Sequence, residues 1–247
     1  MKNIPVIQQA TIAAIIAPVR SGKTHLLTDI IQCEERALII DKAVEFAGPG
    51  YEHFYGASSL PLLIERLERN PYYFRIVYHV GRNEQQEFSI LVNAFWHIQY
   101  QNFKKRLPSW LIVDECVDLC RSGAPNRELD FALRYGRKIL LGCICGTQRI
   151  AEIDKILTTN ADTVILFYTS EVLDLDAIEK RYGLEVREQV EKLKPLKYDD
   201  VSKVVHQTPQ CLVYHRPSKS YTILNLDGKK GEQCHNNLQE IPKTQGA

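Results

Sequence analysis

No apolar run in this chain is longer than about eight residues, well short of the roughly 20 that a helix needs to cross a bilayer, so stable membrane insertion is not expected. Lys2 and the stretch Thr11 to Ala17 faintly imitate a secretory signal, but Gln8 and Gln9 interrupt the approach and Arg-Ser-Gly-Lys-Thr follows in place of a cleavage site. Neither sign of charge prevails. With 31 Lys and Arg against 30 Asp and Glu, the net charge is +1, which excludes a protein that coats nucleic acid with a basic surface; local clusters must do any such binding. A disulfide framework is also missing: the seven cysteines are odd in number and scattered, as expected of reduced thiols in a cytoplasmic compartment, and Cys143 and Cys145 alternate onto one face of a strand. Finger-like metal spacing is absent too. Cys116 and Cys120 lie four apart, but no second pair joins them, Cys234-His235 stands alone, and His97 falls inside a helical apolar pattern and reads as packing. Internal repeats and long linkers are lacking, so one body is expected over 1–227, with the polar stretch 228–247 as a flexible tail.

What the chain does contain is an apolar run feeding Ala17-Pro18-Val19-Arg20-Ser21-Gly22-Lys23-Thr24, followed by a helix-like stretch. A buried strand, a turn whose N–H groups point inward and a helix N-terminus together make an anion cradle. In such a phosphate loop Lys23 reaches the β- and γ-phosphates of ATP and Thr24 holds Mg²⁺. Ala17 stands where the strict pattern has Gly, and Gly22 is the loop's only glycine, so left-handed freedom is concentrated there.

A second signal is Trp110-Leu-Ile-Val-Asp-Glu115, a run that reads as a strand buried on both faces and ends in two carboxylates. The carboxyl ends of strands are where open α/β sheets place their ligand chemistry. Asp114 is expected beside the Thr24-bound Mg²⁺, and Glu115 to orient and deprotonate an attacking water. A third apolar run, from Ile139, ends at Gln148, whose amide can donate to a γ-phosphate and accept from water. Strands are expected near 11–17, 36–41, 73–80, 110–115, 139–147 and 163–169. Helices are expected over 23–33, 86–103 and 126–138, with one or two more over 171–194 and a hairpin at 210–215 and 220–225. This alternation implies right-handed crossovers and a mainly parallel sheet.

Arg134-Tyr-Gly-Arg-Lys138, the strand after it, Thr147-Gln-Arg149, an Asp-containing helix around 152–156 and Ala161 to Tyr168 follow the order of the FtsK/HerA superfamily of DNA-translocating ATPases, which the chain resembles. Phe167 to Glu171, the helix with Ile178 and Tyr182, and Glu188 to Leu193 look like the genome-packaging ATPases of membrane-containing icosahedral viruses. The resemblance spans about residues 10–225 and is strongest at the three nucleotide motifs. It implies a three-layer α/β phosphate-loop NTPase of the RecA-like, FtsK/HerA type, with a mainly parallel sheet and a C-terminal β-hairpin. It also implies a homo-oligomeric ring, a pentamer or hexamer, around double-stranded DNA, working in the host cytoplasm or at a virion vertex with capsid or portal-vertex proteins. Arg137 then supplies positive charge to a neighbour's nucleotide in trans. Arg121 and Arg127, which flank the Gly123-Ala-Pro125 turn, face the pore and touch DNA phosphates. Within the same chemistry the alternative is a HerA- or conjugation-type cellular or plasmid translocase; a nucleotide-binding switch or assembly protein, such as a phage export ATPase, is an alternative of a different class, and a nucleoside kinase is a further one.

Overall fold

The computed structural model describes residues 10–32, 34–46, 50–199 and 204–226. Strand β1 (Ile12–Ile16) leads through the loop into α1 (Lys23–Ile31) and on to β2 (Arg36–Asp41), β3 (Glu52–Tyr55), α2 (Leu60–Arg69), β4 (Phe74–His79), α3 (Glu84–Asn102) and β5 (Ser109–Val113). A small ribbon of β6 (Cys120–Arg121) and β7 (Ala124–Pro125) precedes α4 (Arg127–Tyr135), β8 (Leu141–Thr147), α5 (Lys155–Asn160) and β9 (Thr163–Phe167). The last described elements are α6 (Val172–Tyr182), α7 (Leu184–Lys192), a ribbon of β10 (Lys197–Asp199) and β11 (Val204–Gln207), and the hairpin of β12 (Gln210–His215) and β13 (Ser220–Asn225).

Nine strands form one sheet in the order β13-β12-β9-β1-β8-β5-β2-β4-β3. From β9 to β3 every pairing is parallel, while β12 joins β9 antiparallel and β13 joins β12 antiparallel. This is the mainly parallel α/β sheet with a C-terminal hairpin that the sequence predicts. Side chains alternate between two cores. Ile12, Ala14 and Ile16 of β1 face one layer with Phe88, Leu91, Val92, Phe95 and Ile98 of α3, while Ala13 and Ile15 face the other with Leu26, Leu27, Ile30 and Ile31 of α1. The helical residues recur at three and four positions, the spacing of one face, and fully burying each aliphatic or aromatic side chain is worth roughly 1.5–3 kcal/mol. Helices on both faces make three layers.

Several expectations shift. β3 and α2 fill a stretch where none was expected, whereas the late stretch holds two helices, α6 and α7, divided at Gly183 with φ 100°, within the one or two expected there. The 126–138 helix stops at Tyr135 and continues as a 3₁₀ turn, so β8 begins at Leu141 rather than 139. The helix expected around 152–156 starts at Lys155, with Asp154 as its N-cap. His97 is exposed on α3: it lies off the buried stripe, and the packing role read from its neighbours is wrong. Cys143 and Cys145 do share one face, in the layer that also holds Cys116 and Cys120, and burial pushes the Cys143 and Cys120 thiols up to about 12. The tail expected from 228 lies outside the described residues. Among the described residues no helix is long and apolar enough to cross a membrane.

Candidate nucleotide-binding site

Because β8 lies between β1 and β5, three strand ends meet at the carboxyl edge of the sheet. β1 delivers the loop 17–24, β8 delivers Thr147 and Gln148, and β5 delivers Asp114 and Glu115. The Ala17 N–H donates to the Thr147 carbonyl at 2.9 Å and the Asp114 N–H to the Ile40 carbonyl at 3.0 Å, which ties the loop to β8 and Asp114 to β2. Arg20 at φ 59° and Gly22 at φ 98° turn the chain through the left-handed region, where only Gly is free of strain. Gly22 is then the N-cap of α1, and no side chain caps that helix. A helix opening without a cap leaves its first N–H groups for an anion.

Lys23 is buried, and its Nζ lies 2.7 Å from Asp114 Oδ1 while also donating to Glu115 Oε1. Burial disfavours the Lys23 charge, but Asp114 and Glu115 outweigh it and its pKa is raised. Burial also pushes the Asp114 carboxyl above its ordinary value; Lys23 opposes this in part, and the negative charge of Glu115 and Glu45 adds to it. Glu115 sits at φ 55°, a left-handed conformation that costs a non-glycine residue energy and that clusters at functional sites.

Asp114 Oδ2 and Ser21 Oγ are buried here without a hydrogen-bond partner. Orphans of this kind cost roughly 1–3 kcal/mol each unless a ligand satisfies them. A hard cation takes carboxylate and hydroxyl oxygens, so Thr24 and Asp114 fit Mg²⁺, and Ser21 fits a phosphate. A cleft of about 870 Å³ flanks the loop at Gly22 and His25 and extends to His206 and Pro209.

Gln148 follows Thr147 at the end of β8, half-buried between the loop and the carboxylates. Its neighbour Arg149 is pinned away from it, with Nε donating to Asp174 Oδ2 at 2.7 Å and Nη2 3.7 Å from Glu171. Arg137 precedes β8 and so stands at the opposite edge of the sheet from its own phosphate loop, where it donates to Asp162 Oδ1 at 2.8 Å. Arg121 and Arg127 are both exposed, on the β6–β7 ribbon and at the start of α4; Arg121 Nη2 lies 3.0 Å from Asp118. The tip of that ribbon, Ser122 and Gly123, borders a groove of about 1190 Å³ whose other walls include Arg137, Lys155, Lys180, Arg216 and Lys219.

Sequence reasoning missed two sets of residues at this edge. The Thr24 hydroxyl donates to Glu45, which belongs to no motif. Asp41, fully buried, accepts from the Phe46 N–H at 2.9 Å and lies 3.4 Å from His79 Nδ1, while His53 Nδ1 is 3.0 Å from His79 Nε2. The position of Asp41 at the end of β2, beside the carboxylate strand, was the one available signal.

The fold and the arrangement of these strand ends are those of a phosphate-loop NTPase. The chain is similar to the genome packaging NTPase B204 from Sulfolobus turreted icosahedral virus 2 in complex with ATP-gammaS, at 24% identity over 88% of this chain and 98% of that one, with a TM-score of 0.67. The complex of the same protein with AMPPCP aligns at 24% identity, 87% and 96% coverage and a TM-score of 0.65. B204, the DNA-packaging ATPase from Sulfolobus Turreted Icosahedral Virus, aligns at 23% identity, 88% and 98% coverage and a TM-score of 0.62. No protein-family model and no curated protein matches the chain.

Proposed function

We propose that this chain is an ATPase that drives double-stranded DNA as a homo-oligomeric ring and packages a viral genome into a preformed capsid. The observation that carries the nucleotide half is the buried contact of Lys23 with Asp114 at 2.7 Å, set beside the unpartnered Asp114 Oδ2 and an uncapped helix. Lys23 leaves the carboxylates for the β- and γ-phosphates, Ser21 and the N–H groups of the loop bind phosphate oxygens, and Asp114 and Thr24 are the residues that hold Mg²⁺. Mg²⁺ there supplies charge compensation on the phosphates. Glu115, released from Lys23, takes the proton of a water whose oxygen attacks the γ-phosphorus; the bond from that phosphorus to the bridging oxygen breaks, and ADP and phosphate leave. Gln148, between the loop and the carboxylates, reports whether a γ-phosphate is present. Arg137, at the far edge of the sheet, acts on the nucleotide of a neighbouring subunit.

Support for the DNA half is the charge at the β6–β7 ribbon. Arg121 and Arg127 stand there in solvent, and the groove beside them carries Lys155, Lys180, Arg216 and Lys219 on a chain whose net charge is only +1. Such side chains meet phosphates without reading bases. The similarity in fold to B204, described as a DNA-packaging ATPase, favours packaging over the other translocase readings, with capsid or portal-vertex proteins as partners in the host cytoplasm or at a virion vertex. The test is ATP hydrolysis with and without duplex DNA, with DNA affinity measured over a salt titration. DNA-stimulated hydrolysis is expected, and Arg121→Ala with Arg127→Ala should flatten the salt slope by about 0.9 for each DNA phosphate that is no longer neutralised. Hydrolysis indifferent to DNA, with unchanged binding by the double variant, overturns the translocase reading.

A further inference from the structure

Both side chains that a nucleotide and its cation need first are held by carboxylates of the same chain. Lys23 is bound by Asp114 and Glu115, and the Thr24 hydroxyl donates to Glu45. Asp114 and Glu115 belong to the end of a buried strand. Glu45 differs in kind: it is exposed, and it lies in the irregular stretch 42–46 that follows β2.

That segment is fastened on either side of Glu45. Phe46 is buried and its N–H donates to Asp41 Oδ2 at 2.9 Å, while Lys42 Nζ lies 2.8 Å from Glu84 Oε2 and also bonds Asp118. Between the two anchors Val44 has φ 57°. A β-branched residue is a genuine outlier in that left-handed region, and Val44 is 57% exposed, so little packing holds it there. The segment is thus pinned at both ends and strained in the middle, with its one acidic side chain laid on the Thr24 hydroxyl.

We propose that Glu45 is a reversible latch on the phosphate loop: it occupies Thr24 before nucleotide arrives and withdraws when Thr24 is taken over by the cation and phosphates. The inference rests on the nucleotide-site reading above. Glu45 adds a third carboxylate to a site that Asp114 and Glu115 already make acidic, so its negative charge opposes the phosphates of ATP most strongly when no cation accompanies them. Strain at Val44 raises the energy of the latched form and keeps it easy to open.

The experiment is equilibrium binding of a fluorescent ATP analogue to the whole chain, with EDTA and then with Mg²⁺. Glu45→Ala should bind roughly three- to tenfold more tightly in EDTA, the range expected for removing one exposed charge-assisted hydrogen bond, and gain less in Mg²⁺, where the cation offsets the carboxylate. Glu45→Gln, which keeps a hydrogen-bond acceptor without the charge, should move the same way by less. Val44→Gly, which relieves the strain of the latched form, should bind more weakly than the unaltered chain. Equal or weaker binding by Glu45→Ala, or a Val44→Gly variant as tight as Glu45→Ala, overturns the latch. If the unaltered chain binds and Lys23→Ala does not, such a result leaves the nucleotide site standing; if the unaltered chain fails to bind at all, the site reading falls and the latch with it.

Discussion

Gly146 stands directly against Asp114 of the neighbouring strand: a Cβ built there would lie 2.9 Å from Asp114 Oδ1 and 3.3 Å from Lys23 Cδ. The missing side chain is what lets a lysine and a carboxylate meet over β8. Gly146→Ala is therefore expected to displace both groups. A displacement of about 1 Å at reacting groups costs on the order of 10²-fold in rate. Steady-state ATP hydrolysis should fall by about that factor while circular dichroism still shows a folded chain; an unchanged turnover number would show that Asp114 and Lys23 need no such fit.

Lys23 and Glu115 touch each other, yet they should fail differently when altered. Lys23→Ala removes the charge proposed to meet the phosphates and should abolish nucleotide binding. Glu115→Gln keeps the shape and removes only the proton acceptor, so it should retain ATP and lose hydrolysis by two to four orders of magnitude, the usual weight of a general base. Isothermal titration alongside a phosphate-release assay separates the two. An equal loss of ATP affinity in both variants would remove Glu115 from the role of base.

The position of Arg137 makes a prediction about mixtures. Its partner Asp162 also accepts from the Ile12 N–H at 3.0 Å, so the ion pair is built on the floor of β1, away from the phosphate loop. Arg137→Ala and Lys23→Ala should each be inactive alone. In mixed rings of the proposed kind some interfaces would have an intact loop on one side and an intact arginine on the other, and part of the activity should return. An arginine acting in this way contributes roughly 10³ to 10⁵ in rate, so even partial rescue is easily read. No recovery in oligomers that mass measurement shows to be mixed would refute the trans role.

Asp154 gives a stability prediction. Its Oδ1 accepts from the Ile156 N–H at 2.8 Å and its Oδ2 from the Gly123 N–H at 2.8 Å, so one carboxylate caps α5 and anchors the ribbon that carries Arg121. Burial opposes its ionisation, but those donors, with Lys155 and Arg181 nearby, hold the carboxyl below its ordinary value. A carboxyl lowered in the folded state contributes stability that is present above the ordinary value and lost as pH falls through the folded one. Asp154→Ala should cost about 1 kcal/mol or somewhat more at pH 7, and its deficit should shrink on acidification below about pH 4. Urea melts at pH 7 and pH 3 test this; a deficit that does not change between them would assign the loss to packing.

The strands that meet at the candidate site were legible because each is a continuous apolar run: Ile12–Ile16 into the loop, Ser109–Val113 into Asp114, Leu141–Thr147 into Gln148. β3 was not legible, since Glu52-His-Phe-Tyr55 is an edge strand with no apolar run and, among the described strands, pairs only with β4. α2 was missed for another reason. Leu60, Leu63 and Leu67 make a clean helical stripe, but the Pro61 beside them reads as a breaker unless it is recognised as a first-turn proline. His97 shows the reverse error, because residence among apolar neighbours in sequence says nothing about which side of the helix a residue occupies. Glu45 could not have been found at all: it meets Thr24 only because β2 returns beside the site, and a single acid in a loop carries no pattern.

The order of the strands also bears on how the protein comes into being. β1 is the first described strand to be synthesised, yet its partners in the sheet are β8 and β9, with Ile12 against Cys143 and Ala13 against Thr163. A nascent chain that has just emerged therefore holds a phosphate loop with no walls. Pairings so distant along the chain form late and slowly, because loop-closure entropy must be overcome before they are rewarded. A chain that ends anywhere before β8 lacks the strand that lies between β1 and β5, so its loop has neither Thr147 nor Gln148 beside it.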